Sequence, residues 1–196
     1  RLARDHEADM IVATHTGIKW QRELAAGRRF VNVGVLGRPE NDGQTNVWLD
    51  PEGSYVVVDV EGEKWVVGKE AMKKIEDQYK KAKVLGPISP NELIGKWVRG
   101  PLANYDVYVL PAWFVDAKVG SGLVYSALET PTDFMEIKRF QEHPELIKQY
   151  SLDEETVLSI VPRPNIRVPG MGVDLGKSVC EEFGVISYRD KDKLEK

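Results

Sequence analysis

The sequence predicts an α+β domain with a largely antiparallel, barrel-like β core and peripheral helices. Short β-rich runs follow one another without the regular strand–helix alternation of a doubly wound sheet. Two of these runs are joined by three residues that include a glycine, the pattern of an antiparallel hairpin. Stretches of helical period are few, scattered and amphipathic, so they cover a sheet rather than interleave with it. At 196 residues, with 42% hydrophobic and 30% charged residues, the chain has the balance of one packed domain. Roughly 70% of the unfolded chain's surface can be buried at this length.

The first strand is expected over Phe30 to Leu36, where Val31, Val33 and Val35 alternate with smaller or polar neighbours. It stops at Gly37, and Gly37-Arg38-Pro39-Glu40-Asn41-Asp42-Gly43 is dense in turn formers, which places a loop directly off a strand end. Ser54 to Val60 and Lys64 to Val67, separated by Glu61-Gly62-Glu63, read as the hairpin. From Lys69 to Lys83 the period changes. Met72, Ile75, Tyr79 and Ala82 fall on one face of a helix, and Lys73, Lys74, Lys80, Lys81 and Lys83 read as its solvated face rather than an RNA-facing patch. A Gly-Pro-rich stretch, Gly86 to Pro90, leads into a short element at Asn91 to Gly95. Short strands are expected at Lys96 to Val98, at Val107 to Leu110 and Trp113 to Val115 on either side of Pro111, and at Leu123 to Ala127.

Helices follow. Asp133 to Gln141 reads as one, with Asp133 placed to cap its first turn and meet the positive end of its dipole. Pro144 opens a short helix through Tyr150, and Ser151 with Glu154 three residues on has the spacing of a capping box for another. Pro162, Pro164 and Pro169 keep the next segment extended. Asp174 to Phe183 closes the set, with Leu175, Val179 and Phe183 four apart and Gly184 as its stop.

The longest nearly apolar stretch, Val107 to Val115, contains Pro111 and is far short of the ~18 residues a membrane span needs, so no membrane partner is expected. One cysteine, Cys180, and three histidines give no internal disulfide and no obvious zinc set, which favours a reducing, cytoplasmic setting. A formal charge of −4 gives no global reason to bind nucleic acid. The chain starts at Arg1 without a signal-like segment and ends in a charged run, and it reads as a single domain, 1–196, excised from a longer protein. No phosphate loop, serine elbow or zinc-protease motif is present, and Gly120-Ser121-Gly122 precedes a strand instead of linking strand to helix. His6, His15 and His143 read as exposed or capping residues, and Cys180 as a small core residue.

At its loops the chain resembles the editing domain, connective peptide 1, of leucyl-tRNA synthetases of the archaeal and eukaryotic type. Gly37-Arg38-Pro39-Glu40 through Gly43-Gln44-Thr45-Asn46-Val47-Trp48 resembles the family's T-L-R-P-E-T-(V/M)-(Y/F)-G-Q-T-N-x-W. Val115-Asp116 through Gly120-Ser121-Gly122-Leu123-Val124 resembles F-V-D-x-x-x-G-T-G-V-V. Ile160 to Gly172 resembles the proline-rich I-x-P-x-P-x-I-x-(V/I)-x-G-(Y/F)-G, and Gly184 to Glu195 resembles G-I-x-S-x-x-D-x-E-K-L-E. The set runs in family order from about residue 30 onward, and residues 1–25 match least. Valyl- and isoleucyl-tRNA synthetases share the fold, and the Arg-Pro-Glu and Gly-Gln-Thr-Asn-x-Trp combination points to the leucyl branch.

The resemblance implies a class Ia synthetase editing fold and hydrolysis, by water, of the ester at the 3′ end of tRNA(Leu) that carries a non-cognate amino acid. Such a second sieve is needed because a hydrophobic pocket separates amino acids one methylene apart by only ~10–200-fold. It implies no metal or cofactor in this domain, with ATP used by the synthetic domain of the parent, and the remainder of that parent as a partner. The family's aspartate that holds the substrate's α-ammonium corresponds to Asp133, for which the helix-capping role stays open. Arg38 matches the arginine that contacts the terminal adenosine or holds its loop. Gly120, Ser121 and Gly122 match the Gly-Thr-Gly turn, either as a tight turn or as ligand contacts, and Tyr125 and Ser126 follow on the strand lining the adenosine pocket. The threonine-rich stretch is replaced by Leu36-Gly37 before Arg38 and by Asn41 after Glu40, and both site loops are one residue short. Loss of those hydroxyls predicts a weakened, altered or lost deacylase, and the net charge predicts poor tRNA binding by the isolated domain.

Overall fold

The computed structural model describes residues 10–12, 19–23, 29–33, 44–79, 81–99, 105–126, 128–163, 174–187 and 190. Its strands in chain order are β1 (Met10–Val12), β2 (Lys19–Glu23), β3 (Arg29–Val33), β4 (Asn46–Leu49), β5 (Tyr55–Val60), β6 (Glu63–Gly68), β7 (Lys83–Ile88), β8 (Trp97–Arg99), β9 (Asp106–Pro111) and β10 (Leu123–Ser126). The helices are α1 (Met72–Gln78), entered through a 3-10 turn at Lys69–Ala71, then α2 (Pro90–Leu93), α3 (Pro131–Glu142), α4 (Pro144–Gln149), α5 (Glu154–Ser159) and α6 (Leu175–Glu182).

The α+β reading holds. Among the described residues the strands form a sheet of order β1-β6-β5-β7, a sheet of order β10-β4-β9-β8 and a ribbon of β2 with β3, rather than one closed barrel. Pairing is antiparallel except for β1 with β6 and β4 with β9. A parallel pair needs a crossover between its strands. For β4 and β9 that crossover contains the β5–β6 hairpin, α1, β7, α2 and β8. Strands β5, β6 and β7 of the first sheet are therefore an excursion out of the second.

Alternation along β5 explains how the layers stack. Val56, Val58 and Val60 share one face with Trp65 and Val67 of β6 and bury Ala71, Met72 and Ile75 of the α1 region. The opposite face, through Tyr55 and Val66, joins the main core of Val47, Trp48, Leu49, Leu110, Ile137, Phe140 and Val157. The two sheets touch where Gly68, ending β6, crosses the turn before β10. A Cβ on Gly68 would run into the Ala117 carbonyl oxygen, and one on Gly122, at φ +78°, would lie 2.9 Å from the Gly68 Cα. The Gly68 N–H donates to the Ser121 carbonyl (2.7 Å) and the Tyr55 hydroxyl to the Gly122 carbonyl (2.8 Å).

Several expectations are corrected. β3 spans Arg29–Val33, and the rest of the expected 30–36 strand lies outside the described residues. The helix expected to reach Lys83 ends at Gln78 because the chain must extend into β7. Tyr79 and Ala82 nevertheless pack against the α1 cluster. Most of the Gly-Pro-rich stretch belongs to β7, an edge strand, a position where a proline such as Pro87, level with Val56 of β5, is tolerated. Pro111 ends β9, and Trp113 to Val115 form a turn instead of a strand. Asp153 rather than Ser151 caps α5, accepting from the Thr156 N–H at 2.7 Å. The cap of α3 is Thr130, with Pro131 in the first turn, so Asp133 is not its capping residue.

The substitution Gly68→Ala should destabilise the domain by overpacking, typically about 1–3 kcal/mol and here at the upper end because backbone opposes it. Thermal unfolding should show Tm lowered by roughly 5 °C or more. An unchanged Tm would contradict this account of the sheet junction.

Candidate active site

Because β4 and β9 are parallel and β10 is antiparallel to β4, the start of β4, the first half of β9 and the end of β10 meet at one end of the sheet. Asn46 stands opposite Ser126 on one side and Tyr108 on the other. Of the buried polar side chains, Gln44, Asn46, Ser126 and Asp133 all belong to this end or to the helix that follows it. Thr45 stitches it together. Its N–H donates to the Ser126 carbonyl at 2.7 Å, and its hydroxyl lies 2.7 Å from Asn46 Oδ1 and 3.2 Å from the same carbonyl. Asn46 is fully buried, and its Nδ2 has no hydrogen-bond partner among the described residues.

From Ser126 the chain turns sharply into α3. Leu128 is buried and left-handed, at φ +60°, a conformation a branched side chain adopts only when its surroundings impose it. The turn brings the Ser126 hydroxyl into a relay. Ser126 Oγ accepts from the Leu128 N–H at 3.1 Å and donates to Asp133 Oδ2 at 2.6 Å. The Thr130 hydroxyl accepts from the Asp133 N–H at 3.2 Å. Helix α6 holds the turn from outside through Gly176, where a Cβ would stand 2.7 Å from the Leu128 carbonyl and 2.9 Å from that of Thr130.

Asp133 is 8% exposed. Burial pushes its carboxyl above the ordinary carboxylate range, and the hydroxyls of Ser126 and Thr130 pull it back. Its place in the first turn of α3 also favours the charged form. This carboxylate is poised to gain from an arriving cation, which would repay its desolvation.

The sequence-predicted site divides. Ser126 and Asp133 are brought into direct contact. Gly120, Ser121 and Gly122 lie at the far end of β10, roughly 13 Å of strand away from Ser126. They serve the junction with β6, and the Ser121 hydroxyl faces the carbonyl of Leu123. Tyr125 is half-buried on the other face of the strand, opposite Val47. Leu36, Gly37, Arg38 and Asn41 lie outside the described residues. Thr45, Asn46 and Thr130 were missed by the sequence reading. Thr130-Pro131 three residues before an acid is a readable helix-start signal, whereas nothing in the sequence pairs β4 with β10.

Among the described residues no three His, Cys, Asp or Glu side chains gather to hold a metal ion. His143 is exposed, precedes α4 and lies 2.9 Å from the Glu145 carboxylate. Cys180 is buried, and burial pushes its thiol up, away from the nucleophilic thiolate. No helix is long and apolar enough to cross a membrane among the described residues.

No protein-family model matches the chain. The leucine–tRNA ligase of Ignicoccus hospitalis is 42% identical over 154 residues, covering 78% of this chain. The chain spans 14% of that relative's length. The crystal structure of GlLeuRS-CP1 is similar at 28% identity and a TM-score of 0.68, covering 81% of this chain and 63% of that one. The editing domain of the P. falciparum cytosolic leucyl-tRNA synthetase is similar in fold at a TM-score of 0.71 and 18% identity, covering 86% of this chain and 64% of that one.

Ser126→Ala removes both the acceptor of the Leu128 N–H and a donor to Asp133. It should cost roughly 1–3 kcal/mol of stability and raise the Asp133 pKa further. A carboxyl-carbon NMR titration reads this directly, and an unmoved Asp133 titration would refute the relay.

Proposed function

This chain belongs to the leucyl-tRNA synthetase family and corresponds to the editing domain of those enzymes, and on that premise we propose that it hydrolyses the ester of mischarged aminoacyl-tRNA(Leu). What carries the reading is Asp133, a buried carboxylate kept ionisable by hydroxyl donors at an end of the sheet where other buried polar groups meet.

The chemistry follows from the substrate. An aminoacyl ester carries an ammonium on the carbon next to the ester carbonyl. A carboxylate fixed in the protein that binds this ammonium places the carbonyl carbon at a set position for water. Water adds to that carbon, the acyl–oxygen bond breaks, the ribose regains its hydroxyl and the amino acid leaves. Asp133 binds and orients, Ser126 and Thr130 orient Asp133, and the nucleophile is water, with no metal or cofactor in this domain. The terminal nucleotide of the tRNA enters while the rest of the parent synthetase, in the cytoplasm, holds the body of the RNA. Although the 36–41 stretch lacks threonines, Thr45, Ser126 and Thr130 still supply hydroxyls at this end.

Two variants and a pH–rate profile test the role of Asp133 together. Asp133→Asn in the full-length protein should slow deacylation of mischarged tRNA(Leu) at least about thirtyfold, since it removes the charge from one partner of the buried pair that the substrate's ammonium would complete. Asp133→Ala should either abolish specific hydrolysis or admit correctly charged Leu-tRNA. The wild-type rate should fall with acidification through a pKa above the usual carboxylate range, because only the ionised carboxylate binds an ammonium.

Stability should move the opposite way. A carboxylate whose folded-state pKa is raised destabilises the fold once it ionises, so stability is lost as pH rises through that window. Asp133→Asn should therefore be more stable than wild type at neutral pH, and the gap should close on acidification. Unchanged hydrolysis in both variants would refute the proposal.

A further inference from the structure

The end of the sheet that holds Asp133 also carries a cation that no function described so far uses. Tyr105 directly precedes β9, is half-buried against the main core, and donates its hydroxyl to the Gln44 carbonyl at 3.0 Å. Its ring is thereby fixed to the residue just before Thr45, and Thr45 is bonded to the Ser126 that holds Asp133. Over the Tyr105 ring, 5.3 Å from its centre, lies the Arg163 guanidinium. Arg163 is exposed, and among the described residues no carboxylate pairs with it.

A guanidinium lying against an aromatic face keeps its N–H donors at its edges, where they are available to an oxyanion. The stacking lowers the entropy that a long side chain loses on binding. In a chain of net charge −4 this is a local positive point linked to the buried carboxylate through Tyr105, Gln44, Thr45 and Ser126, and an aminoacylated nucleotide carries one charge suited to each. The aminoacyl ammonium needs an anion, and the phosphate on the same nucleotide needs a cation. A planar arginine fork suits phosphate oxygens better than a point charge does.

Building on the editing reading, we propose that Arg163, laid over Tyr105 at the rim of the site, docks a backbone phosphate of the RNA 3′ strand and so sets how far the terminal nucleotide enters. Arg163 is a positioning residue; it does not touch the ester.

The test uses the full-length protein that carries this chain and two probes. Each is 2′-amino-2′-deoxyadenosine acylated on the amine with valine, one with a 5′-phosphate and one without. Wild type should bind the phosphorylated probe roughly tenfold more tightly. Arg163→Gln should lose that advantage while binding the unphosphorylated probe as wild type does, and Arg163→Lys should keep part of it. An advantage that is absent in wild type, or survives in Arg163→Gln, overturns the assignment. Inorganic phosphate that competes equally in wild type and Arg163→Gln would place phosphate binding elsewhere and overturn it too. If neither probe binds wild type, the editing reading itself falls, an outcome distinct from equal binding of both probes.

Discussion

A carboxylate removed from water must be compensated, and most of the structure around Asp133 exists in service of that compensation. The Ser126 hydroxyl reaches it at 2.6 Å only because the chain reverses within a few residues, with Leu128 left-handed at its centre. That turn is held from one side by the Thr130 cap and from the other by the close approach of Gly176. Each contact is individually modest, but loss of any one would leave a buried charge short of donors, which costs far more than an ordinary hydrogen bond. Structures do not keep such a group for stability. The proposed function supplies a reason to retain it, a cation that arrives from outside.

The second constraint is topological. The parallel pairing of β4 with β9 puts the start of one strand, the first half of another and the end of a third at one place. Backbone from Gln44, Thr45 and Ser126 and side chains from Asn46 and Asp133 then gather without a long loop having to position them. Sites built on strand ends are more exactly held than sites built on loops alone. The glycine crossing between Gly68 and Gly122 fixes the other end of β10, so the two ends of one four-residue strand do different work.

This division shows what the sequence made legible. The hairpin of β5 and β6, the buried stripe of α1 and the bounds of α6 follow from local period and stop signals, and all three are found. Proline and glycine disfavour strands in isolation, so the sequence alone puts a break at Pro111 and offers no strand for the Gly86–Pro90 stretch. Position at a strand end and at a sheet edge overrode that preference. The resemblance to editing domains picked out Asp133 and Ser126, yet their hydrogen bond depends on a turn that no periodicity encodes. The same resemblance grouped Gly120 to Gly122 with them, where tertiary packing keeps the two apart. Thr45 and Asn46 lay within a recognised motif, but their roles depend on strand pairing across 80 residues of chain.

Net charge also changes meaning in this light. A charge of −4 argues against a surface that grips a polyanion, but a site that admits one nucleotide needs only one anion and one cation, correctly spaced. The most direct test of the central claim is the crystal structure of the full-length protein with a non-hydrolysable aminoacyl-adenosine. The account predicts the analogue's α-ammonium within hydrogen-bond distance of the Asp133 carboxylate, with the Ser126 contact intact. An analogue bound elsewhere, or bound with its ammonium turned away from Asp133, would contradict it.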